Sequence, residues 1–247
     1  MGKDLQNRKS VQESLSMTYS VAMYKRKPIY AFVKRTIDFL LALISILLLS
    51  WLFIILLIII PFSVKASPIF GHKRIGKGGK EFRVWKFRSM KKDSRPLEEI
   101  LTPEQLEEYK RDFKVTNDPR VTRFGKFLRK TSLDELPQLF NILIGNMSIV
   151  GWRPIVEDEV LRYGDNKELL FKVKPGLTGY WASHGRSEIE YEDRIKMELY
   201  YCVKRSLWLD IRIIWHTGLR TVFKSEEAKW YYFWSLTLKL SLGLEMN

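Results

Sequence analysis

The chain has 247 residues, enough for one good domain with additions; 46% of them are hydrophobic and the formal charge is +14. Such an excess of cations leaves three ordinary partners, namely nucleic acid, an anionic membrane surface or a phosphorylated substrate, and a long apolar segment favours the last two. Cys202 is the single cysteine, which excludes an intrachain disulfide and a cysteine metal cluster, and no secretory signal is visible, because the apolar run starts too late and is too long for a signal-peptide core.

Met1–Lys27 is polar and mixed in charge and reads as a flexible or weakly helical arm, broken at Pro28 after Lys25-Arg26-Lys27. Phe39–Ile60 then carries no charge, with Ser45 and Ser50 as its polar side chains. As a helix it reaches about 33 Å, enough for a bilayer core of roughly 30 Å, so the plain reading is a single transmembrane helix. The flanks point elsewhere. Lys25, Arg26, Lys27, Lys34 and Arg35 precede the run, and Lys65, Lys73, Arg74, Lys77 and Lys80 follow it. The positive-inside rule finds no asymmetry there, as expected if both ends stay in the cytoplasm. A helix that enters and returns on one face satisfies this; it needs a bend, and Ser50 is the only local candidate.

Ile69–Ile75, Gly76-Lys77-Gly78-Gly79 and Glu81–Phe87 predict a hairpin. Its glycines resemble a phosphate loop only loosely, since the strand-to-helix context is missing. Phe82, Val84, Lys86 and Arg88 share one strand face by the period of two, giving either a solvated strand end or a site for phosphate oxygens. Leu101–Phe113 predicts a solvated helix with Thr102 as cap, Pro103 in the first turn and Gln105 closing a capping box. Asn117-Asp118-Pro119 is a turn, and Val121–Lys130 a short basic helix or loop with Phe124, Phe127 and Leu128 facing inward.

Asp134 and Glu135 are adjacent carboxylates set among Arg120, Arg123, Lys126, Arg129, Lys130 and Arg153. Ser132-x-x-Glu135 is by itself a capping-box pattern, and helix starts favour acids. Pro137 supports a second frame with Asp134 as the cap. Either frame places Asp134 at the positive end of a helix Leu136–Leu143, where its ionised form is favoured and backbone N–H groups can also receive phosphate. Gly151-Trp152-Arg153-Pro154 is a rigid turn presenting Arg153, whose fork suits phosphate. Lys174–Gly179 is a second glycine-proline loop, followed by Tyr180-Trp181 and Gly185-Arg186. Glu188–Lys204 predicts a helix with an acidic-basic surface. In Leu207–Phe223, Trp208, Ile211, Ile214, Trp215 and Leu219 fall at helical spacing, as a core helix or one lying in a membrane interface. Trp230–Leu244 is aromatic and apolar.

Several passages match one family in order and spacing: Lys86-Phe87-Arg88-Ser89-Met90, Asn117–Thr122, Arg129–Leu139, Met147–Gly151 with Arg153-Pro154, and Lys174–Gly179. From about Lys34 to Ser225 the chain resembles the bacterial sugar transferases, the monotopic phosphoglycosyl transferases. Phe70-Gly71-His72 and Asp112-Phe113-Lys114 make it most similar to the catalytic part of undecaprenyl-phosphate galactose phosphotransferases, without the large N-terminal part of the longer members. The resemblance implies an α+β, mainly helical monotopic membrane protein with a re-entrant membrane helix, a small hairpin or sheet and interfacial amphipathic helices. It divides the chain into an arm (1–30), the membrane helix (31–66), a cytoplasmic transferase domain (67–226) and an aromatic tail (227–247).

It further implies transfer of a sugar 1-phosphate, galactose or glucose favoured, from a UDP-sugar to undecaprenyl phosphate with release of UMP. This is the first membrane step of O-antigen, capsule or exopolysaccharide synthesis, at the cytoplasmic face of a bacterial inner membrane. Asp134 falls on the family's nucleophile and Glu135 on its partner, with Mg2+ required and held by the same pair. Lys86, Arg88, Arg120, Arg129 and Arg153 fall on basic positions of its motif segments and, with Pro154 and Arg186, are the candidate substrate-binding residues. A nucleic-acid partner is not expected, and a homodimer is left open. Two departures stand out: Ser50-Trp51 where the family bend has Ser-Pro, and Trp152 where it has proline, which either stacks on a base or distorts the loop. Other readings are an N-acetylated UDP-hexose as donor and, outside enzymes, a basic membrane-anchored binding protein.

Overall fold

A computed structural model describes residues 18–93, 95–112, 115–184 and 189–222. Most of the N-terminal arm, Arg186 and the 227–247 tail lie outside the described residues. The chain runs α1 (Pro28–Leu48), α2 (Ser50–Val64), β1 (Ile69–Ile75), β2 (Glu81–Phe87), α3 (Pro103–Asp112), α4 (Arg123–Thr131), α5 (Gln138–Ile144), β3 (Ser148–Val150), β4 (Gly176–Thr178), α6 (Tyr191–Lys204) and α7 (Leu207–Val222), with short helical turns between. It is mainly helical, with one antiparallel strand pair and one parallel pair.

The apolar run is not one rod. α1 and α2 meet at 64°, and no single described helix is long and apolar enough to cross a membrane, whereas the bent pair together qualifies by length and composition. The break falls at Leu49 (φ −97°, ψ 6°). Ser50 Oγ donates to the carbonyl of Leu47 at 2.9 Å, the acceptor that Trp51 N–H takes in an unbroken helix. The Leu49 N–H still reaches Ser45 O at 3.0 Å and Phe53 N–H reaches Leu49 O at 3.0 Å, so the chain turns without stranding most of its backbone groups. A serine thus supports the bend with no proline beside it.

One stripe of α1 belongs to the folded body. Tyr30 and Lys34 both reach Asp210, at 2.9 and 3.1 Å. Buried Asp38 accepts from Ser148 Oγ at 2.7 Å and from Ile149 N–H at 3.1 Å. Arg35 donates to the carbonyls of Ile142 and Leu143 at 2.6 and 2.7 Å, covering the negative end of α5. Lys34 and Arg35, expected as topological flanks, are therefore tertiary contacts. On α2, Phe53, Leu56, Ile60 and Val64 pack with Phe87 and Leu128, while Ile54, Ile58 and Phe62 are exposed. A helix apolar on all sides with one side open is suited to lipid.

β1 and β2 pair from Ile69↔Phe87 to Ile75↔Glu81. The turn between them carries Gly78 and Gly79 at φ 74° and 71°, as expected of a turn rather than a phosphate loop. β3 and β4 pair in parallel, Ser148↔Gly176 and Val150↔Thr178, and this joins the two glycine loops. A Cβ on Gly176 would lie 2.1 Å from the Gly151 nitrogen, so only glycine admits this approach.

α3 carries the predicted capping box, with Thr102 and Gln105 exchanging bonds of 3.2 and 3.3 Å. In α4, Leu128 is buried, but Phe127 is 50% exposed and stacks on Phe124 at 5.9 Å. Phe127 flanks Phe124 on the side away from Leu128, from which it is turned by about 100° round the helix, and so stays at the surface. α6 is the predicted helix, but part of its charge is not on the surface: Arg194 and Glu198 are buried beside Ile195, Met197, Leu199 and Tyr201. The predicted apolar face of α7 points outward, with Trp208, Ile211, Ile214 and Trp215 exposed, while Asp210 and Ile213 turn inward.

Candidate active site

Ser132 ends α4 in the left-handed region at φ 58° and makes no side-chain cap. A 3-10 turn, Leu133–Glu135, follows, with Glu135 N–H on Ser132 O and Leu136 N–H on Leu133 O, both 3.2 Å. Pro137, lacking an N–H, stands before the first residue of α5. Neither predicted capping frame forms, so Asp134 sits in a tight turn between two helices rather than at the head of one.

The turn buries Asp134, 9% exposed, and burial pushes its carboxyl up to about 6. Lys86 pulls it down, the Glu135 charge adds to the rise, and Arg129 and its own backbone N–H oppose it. The expected preference for the ionised form is thus reversed by desolvation. Glu135 binds Lys86 at 2.8 Å. Lys86 reaches this position because β2 places it opposite Phe70, on the face that Phe82 and Val84 share. Arg129, in the last turn of α4, is held by Ser89 Oγ at 2.9 Å. α4 lies this close because residue 125 is glycine: a Cβ there would be 1.9 Å from the Ser89 carbonyl oxygen.

The other sequence-derived positions are placed less directly. Arg120 is gripped by Asp118 at 2.6 Å, and Asp118 in turn feels Arg129. Arg88 Nε donates to Ser67 O at 2.8 Å and its guanidinium lies 5.4 Å from the Phe70 ring, at the foot of the hairpin. Arg153 is exposed, lies over Trp181 at 5.9 Å and feels the charge of Glu135. Pro154 leads from it into buried Ile155. Trp152 faces away from the site. It is 0% exposed, donates Nε1–H to Val173 O at 2.9 Å and packs near Phe171, so it neither stacks on a bound base nor blocks the site.

Sequence reading missed two groups. His72 and Arg74 share the Lys86 face of the hairpin, a placement already implicit in the period of two once the register is known. Burial, together with Arg74 and Lys86, holds the His72 imidazole below its ordinary value. Behind Arg153 lies a buried network. Glu159 takes Arg74 and Arg194, both at 3.3 Å, Arg194 also binds Glu198 at 3.2 Å, and Glu198 accepts Arg153 backbone N–H at 3.1 Å and the Tyr163 hydroxyl. Nothing in the composition of α6 distinguishes these inward charges from a solvated face.

Together the site offers one buried carboxylate of raised pKa, a second carboxylate tied to a lysine, and the fields of Lys86, Arg129 and Arg153 acting on the pair. Such a set can receive an anionic phosphate and attack it. The bacterial sugar transferase family matches residues 29–225. The chain belongs to that family. Among curated members it is 46% identical over 200 residues to a UDP-galactose-lipid carrier transferase of Erwinia amylovora, covering 80% of this chain and 42% of that protein. It is 43% identical over 190 residues to an undecaprenyl-phosphate galactose phosphotransferase of Salmonella typhimurium, covering 76% and 40%. An exopolysaccharide production protein of Rhizobium meliloti is 42% identical over 194 residues, covering 77% and 86%. The chain therefore spans less than half the length of the first two relatives and most of the third. Within the sugar transferase family match fall Asp134, Glu135, Lys86, Arg129 and Arg153, the positions through which the dyad and its cations are built.

Proposed function

We propose that this chain transfers a sugar 1-phosphate from a UDP-sugar to undecaprenyl phosphate. The observation that carries this is buried Asp134 at about 6, beside a Lys86–Glu135 pair and Arg129, in a chain of this family. An Asp134 carboxylate oxygen attacks the β-phosphorus, the bond from that phosphorus to the bridging oxygen breaks, and UMP leaves. A phosphate oxygen of the lipid then attacks the same phosphorus and releases the Asp134 carboxylate. The meeting of two anions sets much of the barrier, and Lys86, Arg129 and Arg153 reduce it by lying where charge accumulates. Burial keeps Asp134 reactive by withholding the donors that stabilise a carboxylate in water.

Among the described residues no cluster of three or more His, Cys, Asp or Glu side chains suits a metal ion. Two adjacent carboxylates are nevertheless a fitting donor set for Mg2+, which commonly binds through one or two carboxylates together with substrate phosphates. Asp134 and Glu135 would hold it, and the ion would neutralise developing charge on the diphosphate.

Galactose or glucose is the favoured sugar. Relatives that share 46% and 43% identity carry galactose in their names, and one at 38% identity carries glucose. A relative from Aeromonas hydrophila at 39% identity is named for N-acetylgalactosamine, which makes that the alternative donor. We place the α1–α2 bend in the cytoplasmic leaflet of a bacterial inner membrane as a re-entrant element, with the site at its surface. The 64° bend and the open apolar side of α2 support this. A non-catalytic scaffold has no use for a desolvated aspartate.

The test is UMP release by the full chain with Mg2+, undecaprenyl phosphate and a panel of UDP-sugars, beside Asp134→Asn. Lipid-dependent release with one sugar, lost in the variant, is the expected result. Release that persists in Asp134→Asn sinks the covalent route.

A further inference from the structure

A groove of about 290 Å³ opens beside the dyad. Glu135 lines it together with Leu136, Leu139 and Leu177 and with Ile214 and Gly218 of α7. Two of its few hydroxyls, Thr178 and Thr217, are bonded to each other at 2.7 Å. A sugar brings several hydroxyls that each need a partner, and these walls supply few. A branched hydrocarbon needs only the apolar surface that they do supply.

We infer that this groove seats the first prenyl segment of the lipid acceptor, with its phosphate directed toward Asp134. The inference rests on the proposed reaction, which brings a lipid phosphate to this carboxylate. The groove is continuous with the outer surface of the molecule: Ile214 lines it and is also 40% exposed, in the row that holds Ile211 and Trp215. A prenyl chain arriving along that apolar face of α7 meets the groove at Ile214. Gly218 is a second sign. Glycine inside a helix costs about 1 kcal/mol relative to alanine, and among the described residues nothing beyond its own stretch of helix lies within 4 Å of where its Cβ would be. None of the described neighbours requires glycine here, and its effect is to leave that side of the groove wide.

That space supplies a clean test. Gly218→Leu adds bulk without an internal clash and improves helix propensity, and Ile214→Gln makes the wall polar from an already exposed position. The full chain, in detergent or lipid discs, is assayed for transfer at varied undecaprenyl phosphate and, separately without lipid, for exchange of labelled UMP into the UDP-sugar. Each variant is expected to raise the KM for the lipid roughly tenfold or more while exchange stays at the wild-type rate. A diazirine-bearing prenyl phosphate is expected to label the segments around Leu177 and Ile214 in the wild type. An unchanged lipid KM in both variants, or labelling confined to other segments, overturns the inference. Loss of exchange in step with transfer also overturns it, by assigning the groove to the donor. A wild type that labels in the groove but neither exchanges nor transfers refutes the proposed reaction and leaves the groove standing as a lipid site.

Discussion

Asp134 and Glu198 are both buried carboxylates, and the chain treats them in opposite ways. Glu198 is 1% exposed and accepts from Arg194, from the Arg153 backbone and from Tyr163, while nearby Glu159 accepts from Arg74, Arg194 and Tyr191. Asp134 is buried nearly as deeply, but its help comes from its own backbone N–H and from the fields of Lys86 and Arg129. Burial with saturated hydrogen bonding gives a fixed girder; burial with few donors gives a carboxylate whose charge is costly and whose lone pairs are free to react. The girder holds the Arg153 turn, and Asp134 is the acid that the proposed reaction uses.

This contrast can be broken from either side. The largest effect is expected from Asp134→Asn, which should lower transfer by roughly a thousandfold or more while raising thermal stability. The sign follows from linkage. Burial lifts the folded-state value from 3.8 to about 6, so the carboxyl is held in comfort when protonated, and stability is lost as pH rises between those two values. At neutral pH the variant should gain about 1–3 kcal/mol, and the gain should vanish below about pH 4. Denaturation curves of the two proteins at pH 4 and pH 7.5 check both signs; a destabilised variant at pH 7.5 would remove the contrast.

Arg194→Met attacks the girder. Leaving Glu159 and Glu198 short of their common partner should destabilise the fold by about 3–5 kcal/mol, read as a drop in unfolding temperature. Lys86→Met attacks the reactive side without touching the girder. It removes the main downward pull on Asp134, so the acid limb of the pH–rate profile should move to higher pH and the rate at pH 7 should fall roughly tenfold. A fall in rate with an unmoved limb would confine Lys86 to binding. Asp38→Ala strands the Ser148 hydroxyl and Ile149 N–H and should remove about 1–3 kcal/mol of stability. Ser50→Ala is the smallest change, under about 0.5 kcal/mol in a melting experiment, because α2 is also held by Phe53 against Phe87 at 5.5 Å.

Much of the site was legible because its residues sit in short local patterns. Asp134-Glu135, Lys86 and Arg129 declare themselves as acids or bases in motif segments, and the structure brings these four together. The hairpin, the α3 cap and the need for a bend were equally local. What was hidden depends on long-range register. Two helix frames were open at Ser132–Pro137, and the chain uses neither, because packing of Leu133 and Leu136 draws the segment into a 3-10 turn. Trp152 was open to two readings, a platform for a base or a distortion of its loop, and the β3–β4 pairing turns it inward instead. Lys34 and Arg35 looked like membrane flanks, because sequence does not say that Asp210 and the end of α5 lie opposite them.

The paired helices α1 and α2 also bear on how the protein is made. Ala42 packs with Val84, Leu139 and Ile142, and Phe53, Leu56 and Ile60 cover Phe87 and Leu128. Cutting at residue 66 would not release a water-soluble catalytic body, since it would strip the lid from two of its cores. The bent helix pair and the Asp134 turn are one folding unit, since Leu133 and Leu136 pack in the same cluster as Phe53, Leu56 and Ile60, so Asp134 acquires its buried surroundings only once α1 and α2 have docked.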